Sequence, residues 1–231
     1  MGKLPQGPFG ATTGKIGNIV SYVLKGETVF RRVGKTKKKR SAGQAASRQR
    51  FKLVNDLLHH ITGFINLGFL FKMEGTPLNQ HNIATSLNMR NAIKGSYPNF
   101  EIDYRKVVVS EGKLLAANSP TAIVTQHNVT INWDYVEERD FSFRNDRAMV
   151  LLIYPLKQSS IYYLSAAERS AGTQVFTIAA DETNESPEIY ISFLAEDRLS
   201  VSNSTWISYL ANEQSSSVIP LLCNSCFFNV K

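Results

Sequence analysis

The sequence predicts an α+β protein that is mainly β. Its largest part is an immunoglobulin-like antiparallel β-sandwich, preceded by a helical segment and a basic N-terminal β-hairpin arm. Three observations carry this. From Tyr97 onward apolar and polar residues alternate with period two, in short runs separated by polar or glycine-bearing turns. Across residues 44–73 the apolar period is instead three to four, as on one face of a helix. Ahead of both lies a run of cations from Arg31 to Arg40. A chain of 231 residues with 43% hydrophobic content holds one large or two small domains and is too apolar to stay disordered. The expected divisions are 1–43 for the glycine-rich basic arm, 44–96 for the helical segment, 97–214 for the sandwich and 215–231 for an apolar tail or exchanged strand.

The first 30 residues are glycine-rich (Gly2, Gly7, Gly10, Gly14, Gly17 and Gly26). Residues 16–23 mix β-branched and aromatic side chains and read as a strand, and Lys25, Gly26 and Glu27 turn the chain into a second strand over 28–33. Two strands this small have almost no core of their own, so they must lean on the rest of the chain or on a neighbouring subunit. In the helical segment Phe51, Val54, Leu58, Ile61 and Ile65 form the stripe, with Leu57, Phe64 and Phe69 on its flank. Gly63 and Gly68 each cost about 1 kcal/mol relative to alanine, so a kink or break is expected at them. A second helix fits 79–94, with Ile83, Leu87 and Ile93 apolar and Gly95 as its stop. Arg48 and Arg50 are placed in the first turn of the long helix, where the helix dipole prefers acids, and this favours anion binding.

Nine strands are expected in the sandwich: 102–110, 114–116, 121–125, 129–133, 149–154, 161–164, 174–178, 188–194 and 206–210. Trp133 is the natural centre of that core. No cysteine pair flanks it, so the domain is not of the true antibody type. The tail holds Val218, Ile219, Leu221, Leu222, Phe227 and Phe228. Left free, so apolar a segment is an aggregation hazard; it packs on its own domain or docks on another copy as an added strand.

Charge is divided unevenly. Through Asn55 there are 13 lysines and arginines against one glutamate, net +12; the remaining 176 residues carry 13 against 18, net −5, which together give the overall +7. Concentrated charge of this kind marks a polyanion-contacting arm or a solvated tail. No apolar stretch is long enough for a signal peptide or a membrane span, so synthesis in the cytoplasm is expected. Two cysteines in so long a chain do not make a secreted disulfide framework.

Several constellations bear on chemistry. The stretch from Gly10 to Lys15 has three residues between its glycines and Ile16 after the lysine, so it is not a phosphate-binding loop. Cys223 and Cys226 form one C-x-x-C with no second pair, for which buried thiols are the simpler reading than a metal site. His59 and His60 lie in the long helix, one near its apolar stripe, and lack a nucleophile nearby. Glu137, Glu138 and Asp140 sit among Arg139, Arg144 and Asp146, the composition of a solvated turn. No catalytic, cofactor-binding or metal-binding residue is therefore expected, and no small-molecule substrate is inferred. What remains is the basic segment: Arg31, Arg32, Lys35, Lys37, Lys38, Lys39, Arg40, Arg48, Arg50 and Lys52. Each cation that neutralises a phosphate releases counterions and adds salt-sensitive, sequence-independent affinity. Phe30 and Phe51 alone interleave as aromatics, which gives base stacking little support. The rival partner is the acidic body of an adjacent subunit.

Ordered motifs along most of the chain resemble a family of uncharacterised proteins of similar length from Bacteroidota, a domain of unknown function. The first runs from Gly14 to Tyr22 as G-K-I-G-N-I-V-S-Y, followed by Gly26, Val29, Arg31, Gln44, Arg50 and Phe51. Next come residues 64–69, 91–95 and 97–104, then 110–114, Trp133, 146–150, 167–169 and 201–204. The resemblance implies membership without an activity. The first 55 or so residues are also weakly similar to phage and prophage virion-associated proteins. Lys37 to Arg40 stand where the family pattern has a proline-bearing linker, and the tail after Tyr209 is longer than that pattern, which marks the termini as specialised. The expectation is a non-enzymatic structural or assembly protein, virion-like or filament-like, whose arm and tail contact neighbouring copies. It would end in a virion or other assembled particle. The alternative is a sequence-independent nucleic-acid-binding protein using residues 31–52.

Overall fold

The computed structural model describes residues 2–4, 12–24, 26–35, 41–73, 75–125, 128–178 and 186–211. The expected tail contacts at Val218, Ile219, Leu221, Leu222, Phe227 and Phe228 lie outside these residues, as do Lys37, Lys38, Lys39, Arg40, Cys223 and Cys226. The chain divides into two compact units, Met1–Gln44 and Ala45–Lys231.

In the first unit β1 (Gly2–Leu4), β2 (Gly14–Ile16), β3 (Ile19–Leu24) and β4 (Glu27–Arg32) form an antiparallel sheet ordered β1-β4-β3-β2. The single strand expected over 16–23 is two strands. Gly17, at φ +58°, and Asn18 reverse the chain between Ile16 and Ile19, and glycine adopts that left-handed φ at low cost. The register puts Ile16, Ile19, Val23 and Phe30 on one face, and Lys15, Val20, Tyr22 and Arg31 on the other.

The second unit is built in three layers. Its middle layer is the sheet β10-β9-β12-β13, from Ser159–Tyr163, Arg147–Tyr154, Glu188–Leu194 and Thr205–Ile207. Along β9, Ala148, Val150, Leu152 and Tyr154 point into one core, and Met149, Leu151 and Ile153 point into another. In β12, Ile189, Ile191 and Phe193 alternate in the same way with Tyr190 and Leu194. The first core is closed by the sheet β11-β8-β7-β14, from Thr173–Thr177, Asn128–Asn132, Thr121–Val124 and Tyr209–Ala211. The second is closed by α1 (Ala42–His60), α2 (Thr62–Gly68) and α3 (Gln80–Asn91) through Val54, Leu58, Ile61, Phe64, Ile65 and Ile83. The protein is thus mainly β, a two-sheet sandwich with helices on its outer face. Pairing is antiparallel throughout these two sheets except between β14 and β7, which run parallel.

Local chemistry accounts for the element ends that differ from expectation. Ser41 and Gln44 form a reciprocal cap, Gln44 N–H donating to Ser41 Oγ at 3.3 Å and Ser41 N–H to Gln44 Oε1 at 3.2 Å. The helix therefore begins at Ala42, and Arg48 and Arg50 lie beyond its first turn, which removes the dipole argument built on them. The break falls at Ile61 and not at Gly63, because Thr62 Oγ1 donates to the carbonyls of His59 (2.8 Å) and Leu58 (3.3 Å). A Cβ at Gly63 would meet the Tyr162 hydroxyl, so a larger residue there needs the end of that partly exposed side chain to shift. Asn79 caps α3, which stops at Asn91 instead of reaching Lys94. Ile93–Ser96 (β5) pairs with Asn99–Ile102 (β6), and Gly95, at φ +87°, serves that hairpin.

The strand expected over 102–110 is also replaced. Tyr104–Lys106 forms a 3-10 turn, and residues 107–110 run outside any ladder. Asn88 stands in for a strand there: its Oδ1 accepts from Val108 N–H at 2.9 Å and its Nδ2 donates to Val108 O at 2.8 Å. Residues 114–116 contribute one bridge, Leu114 to Ser202. The strand expected over 206–210 changes sheets after Ile207 and becomes β13 and β14.

Candidate polyanion-binding face

The sequence-predicted cations that the structure describes fall in two places. Arg31, Arg32 and Lys35 belong to the first unit, where all three are exposed. Adjacent residues of a strand point to opposite faces, so Arg31 and Arg32 cannot act on one surface. Arg31 lies over the Tyr22 ring, its guanidinium carbon 5.7 Å from the centroid. It shares a row with Val20 and Lys15, an exposed lysine that charge counting over 31–52 passes over. Strand alternation would have found it.

Arg48, Arg50 and Lys52 belong to the second unit, on α1, and their roles differ. Arg50 is half-buried; its Nη2 donates to Met89 O at 2.9 Å near the C-terminus of α3, and its guanidinium carbon lies 5.8 Å from the Phe100 centroid. A cation is favoured at such a helix end, and Arg50 there ties α1 to α3 and the β5–β6 hairpin. Arg48 and Lys52 are exposed and form no ion pair among the described residues. With Phe51 and Asn55 they follow the i, i+3, i+4, i+7 spacing of one helical stripe. That stripe borders a groove of about 640 Å³, to which Gln49 and Met89 also contribute.

The other candidate titratable groups lie elsewhere in the second unit. His59 and His60 are both exposed, their rings meeting edge to face at 6.0 Å, and His60 borders a pocket that Leu57, Tyr104 and Ile153 also line. His81 shares a hydrogen bond with Asn55 (3.1 Å). Glu137–Asp140 is a short helix, and Asp140 is buried, accepting at Oδ2 from Val136 N–H at 3.2 Å. No group of three or more acidic, histidine or cysteine residues suited to a metal occurs among the described residues. Among those residues, too, no helix is long and apolar enough to cross a membrane.

Charge counting also missed a buried ion pair beside the sandwich core. Arg169 Nη2 lies 3.3 Å from Asp146 Oδ2 and donates to Leu115 O at 2.8 Å, and its guanidinium carbon is 3.8 Å from the Phe193 centroid. Trp133 packs edge to face on Phe193 at 5.7 Å and donates from Nε1 to Arg169 O at 2.8 Å. Burial pushes the Asp146 carboxyl above its ordinary value, against the opposing pull of Arg169. Burial likewise raises the Tyr190 phenol well above its ordinary value, and that hydroxyl donates to Tyr104 O at 2.6 Å. These groups are committed to internal partners and lock the layers together. The segments 110–114 and 201–204 interlock in the same manner: Ser110 Oγ donates to Ser202 O (2.8 Å), Gly112 N–H to Asn203 Oδ1 (3.1 Å) and Leu114 N–H to Val201 O (3.1 Å).

Several sequence motifs that carry the family resemblance therefore meet in the fold as packing contacts around Trp133, Arg169 and Ser202. No curated protein and no solved structure is similar to the chain at a significant level. The model of one family of unknown function, DUF6266, matches residues 11–208, and the chain belongs to that family.

Proposed function

We propose that the protein is a non-enzymatic structural or assembly subunit whose terminal parts contact neighbouring copies. The observation that carries this reading is the first unit's sheet, on one face of which Ile16 is 73% exposed, Ile19 50% and Val23 45%. A four-stranded sheet with so little of its own to bury is completed by a covering partner. The strand order supports an immunoglobulin-like sandwich as the body of the subunit: counted from β7, strands 5-2-1-8 of one sheet, the eighth a parallel edge strand, face strands 4-3-6-7 of the other. A virion-like or filament-like particle, the similarity of the first 55 or so residues to phage proteins, a Bacteroidota source and cytoplasmic synthesis belong to the same proposal. So does subunit contact through Val218, Ile219, Leu221, Leu222, Phe227 and Phe228. The test is solution mass by light scattering. Deleting residues 215–231, or changing Ile16 and Ile19 to serine, is expected to reduce the mass to that of the monomer; a wild-type chain that is itself monomeric would overturn the proposal.

A second reading is favoured by a separate observation. Arg32, Lys35, Arg48 and Lys52 are exposed without an ion-pair partner among the described residues. Free cations of this kind support sequence-independent binding of a polyanion, with Lys37, Lys38, Lys39 and Arg40 adding to it.

A further inference from the structure

We propose that the groove on α1 binds single-stranded nucleic acid, with one base stacked on Phe51 and the flanking phosphates held by Arg48 and Lys52. The inference rests on the second reading above and names its ligand.

Phe51 is 51% exposed on a helix whose Val54 and Leu58 are fully buried, so its ring is surplus to the core. Arg48 lies three residues before it and Lys52 directly after it, and neither forms an ion pair among the described residues. One turn of helix, about 6 Å along the axis, separates Arg48 from Lys52, and Phe51 lies to one side of the line joining them, bordering the same groove. An exposed aromatic flanked by cations is the pairing that takes a base face and its neighbouring phosphates together. A duplex keeps its base faces stacked inside, so only an unpaired strand can offer one to Phe51. An acidic peptide would satisfy Arg48 and Lys52 but leave the ring without a partner.

The groove's amides indicate what it does not read. Asn55 Oδ1 is bonded to His81 Nε2 at 3.1 Å, and Gln49 Nε2 donates to Pro98 O at 2.5 Å. Asparagine and glutamine recognise base edges by using both amide atoms at once, and here one atom of each is already engaged. Stacking and phosphate contact without base readout follow, so oligonucleotides of different sequence should bind alike. Arg50, bonded to Met89 O beneath the groove, holds α1 against α3 whether or not a strand is bound.

The test uses the full chain and four probes at low salt: a fluorescein-labelled oligo-dT of about 16 nucleotides, a random duplex, heparin and poly-glutamate. Phe51→Ala is expected to weaken oligo-dT roughly tenfold, a loss typical of one stacked base. It should leave duplex and heparin binding within twofold, and Phe51→Trp should restore oligo-dT. Arg48→Gln with Lys52→Gln should weaken oligo-dT and heparin together, reducing the salt slope for oligo-dT by about 1.4, or 0.7 per phosphate contact. Phe51 lies outside both cores, so the variants should melt with the wild type, which circular dichroism checks. If oligo-dT binds but Phe51→Ala leaves it unchanged, the stacking site is wrong while the polyanion reading stands. Equal binding of poly-glutamate and oligo-dT, insensitive to Phe51, overturns it in favour of an acidic protein partner. Absence of binding to every probe removes both the inference and the reading beneath it.

Discussion

The two four-stranded sheets β1-β4-β3-β2 and β10-β9-β12-β13 are opposites in what covers them. In β3 one residue of six, Ser21, is buried; in β9 every residue after Arg147 is. Both strands are rich in β-branched and aliphatic side chains, so propensity does not separate them. The difference lies in their faces. The middle sheet of the second unit has a layer on each side, and its side chains pack alternately into two cores. The N-terminal sheet leaves isoleucines and Arg32 exposed on one face and Lys15 and Arg31 on the other. A strand's contribution to stability follows from what lies above and below it, and the N-terminal strands leave much of their apolar surface uncovered.

Truncation should expose that contrast most strongly. Phe193→Ala removes a fully buried ring that touches both Trp133 and Arg169, and should cost about 3–5 kcal/mol in urea unfolding. Ile19→Ala, at a half-exposed position of the N-terminal sheet, should stay within about 0.5 kcal/mol. Similar losses at the two positions would show that the N-terminal sheet is covered within the monomer, and would break the comparison.

The buried pair sharpens it. Arg169→Ala leaves the Asp146 carboxylate buried without its cation and should cost about 3 kcal/mol near neutral pH. Asp146 itself has a predictable sign. Its folded pKa is raised above the ordinary 3.8, so the folded chain holds that proton more tightly than the unfolded chain does. The stability this group lends is full below 3.8 and is lost as pH rises through the raised folded value. Asp146→Asn mimics the protonated form, so it should match the wild type in acid and gain on it as pH rises. Urea midpoints for the two proteins across pH 3 to 7 check this; a wild type that gains on the variant with rising pH would reverse the sign.

Much of the β-structure was legible from period two, because the turns between strands carry polar residues and glycine. The helical cover was legible as a helix but not as a layer over the sheet. The run A-M-V-L-L-I-Y from Ala148 to Tyr154 held that information: an unbroken apolar strand needs a partner on each face. Element ends escaped where a side chain overrides periodicity, as Thr62 does at the break after α1 and Asn88 does beside residues 107–110. The basic face was legible as composition. That Arg50 turns inward while Arg48 and Lys52 stay free depends on where α3 ends, and no spacing within α1 reports it.

The smallest expected effect concerns Ser192, on the face of β12 that the helices cover. Its neighbours on that face, Tyr190 and Leu194, are packed in the helix-side core. Its Oγ is buried without a hydrogen-bond partner among the described residues. A hydroxyl held out of water with nothing to bond loses its hydration uncompensated, whereas a methyl group there loses nothing. Ser192→Ala should therefore raise stability by about 0.5–1 kcal/mol, read as a higher urea midpoint with an unchanged slope. The same substitution at Ser21, in the N-terminal sheet, should lower it slightly, because Ser21 Oγ can donate to Gly14 O at 3.5 Å. Opposite signs for one substitution in two strands would show that the middle sheet gains from a wholly apolar helix-side face, while the N-terminal sheet relies on its own polar contacts. A loss at Ser192 would mean that its hydroxyl is satisfied after all, and that the layer between helices and sheet is less apolar than its packing indicates.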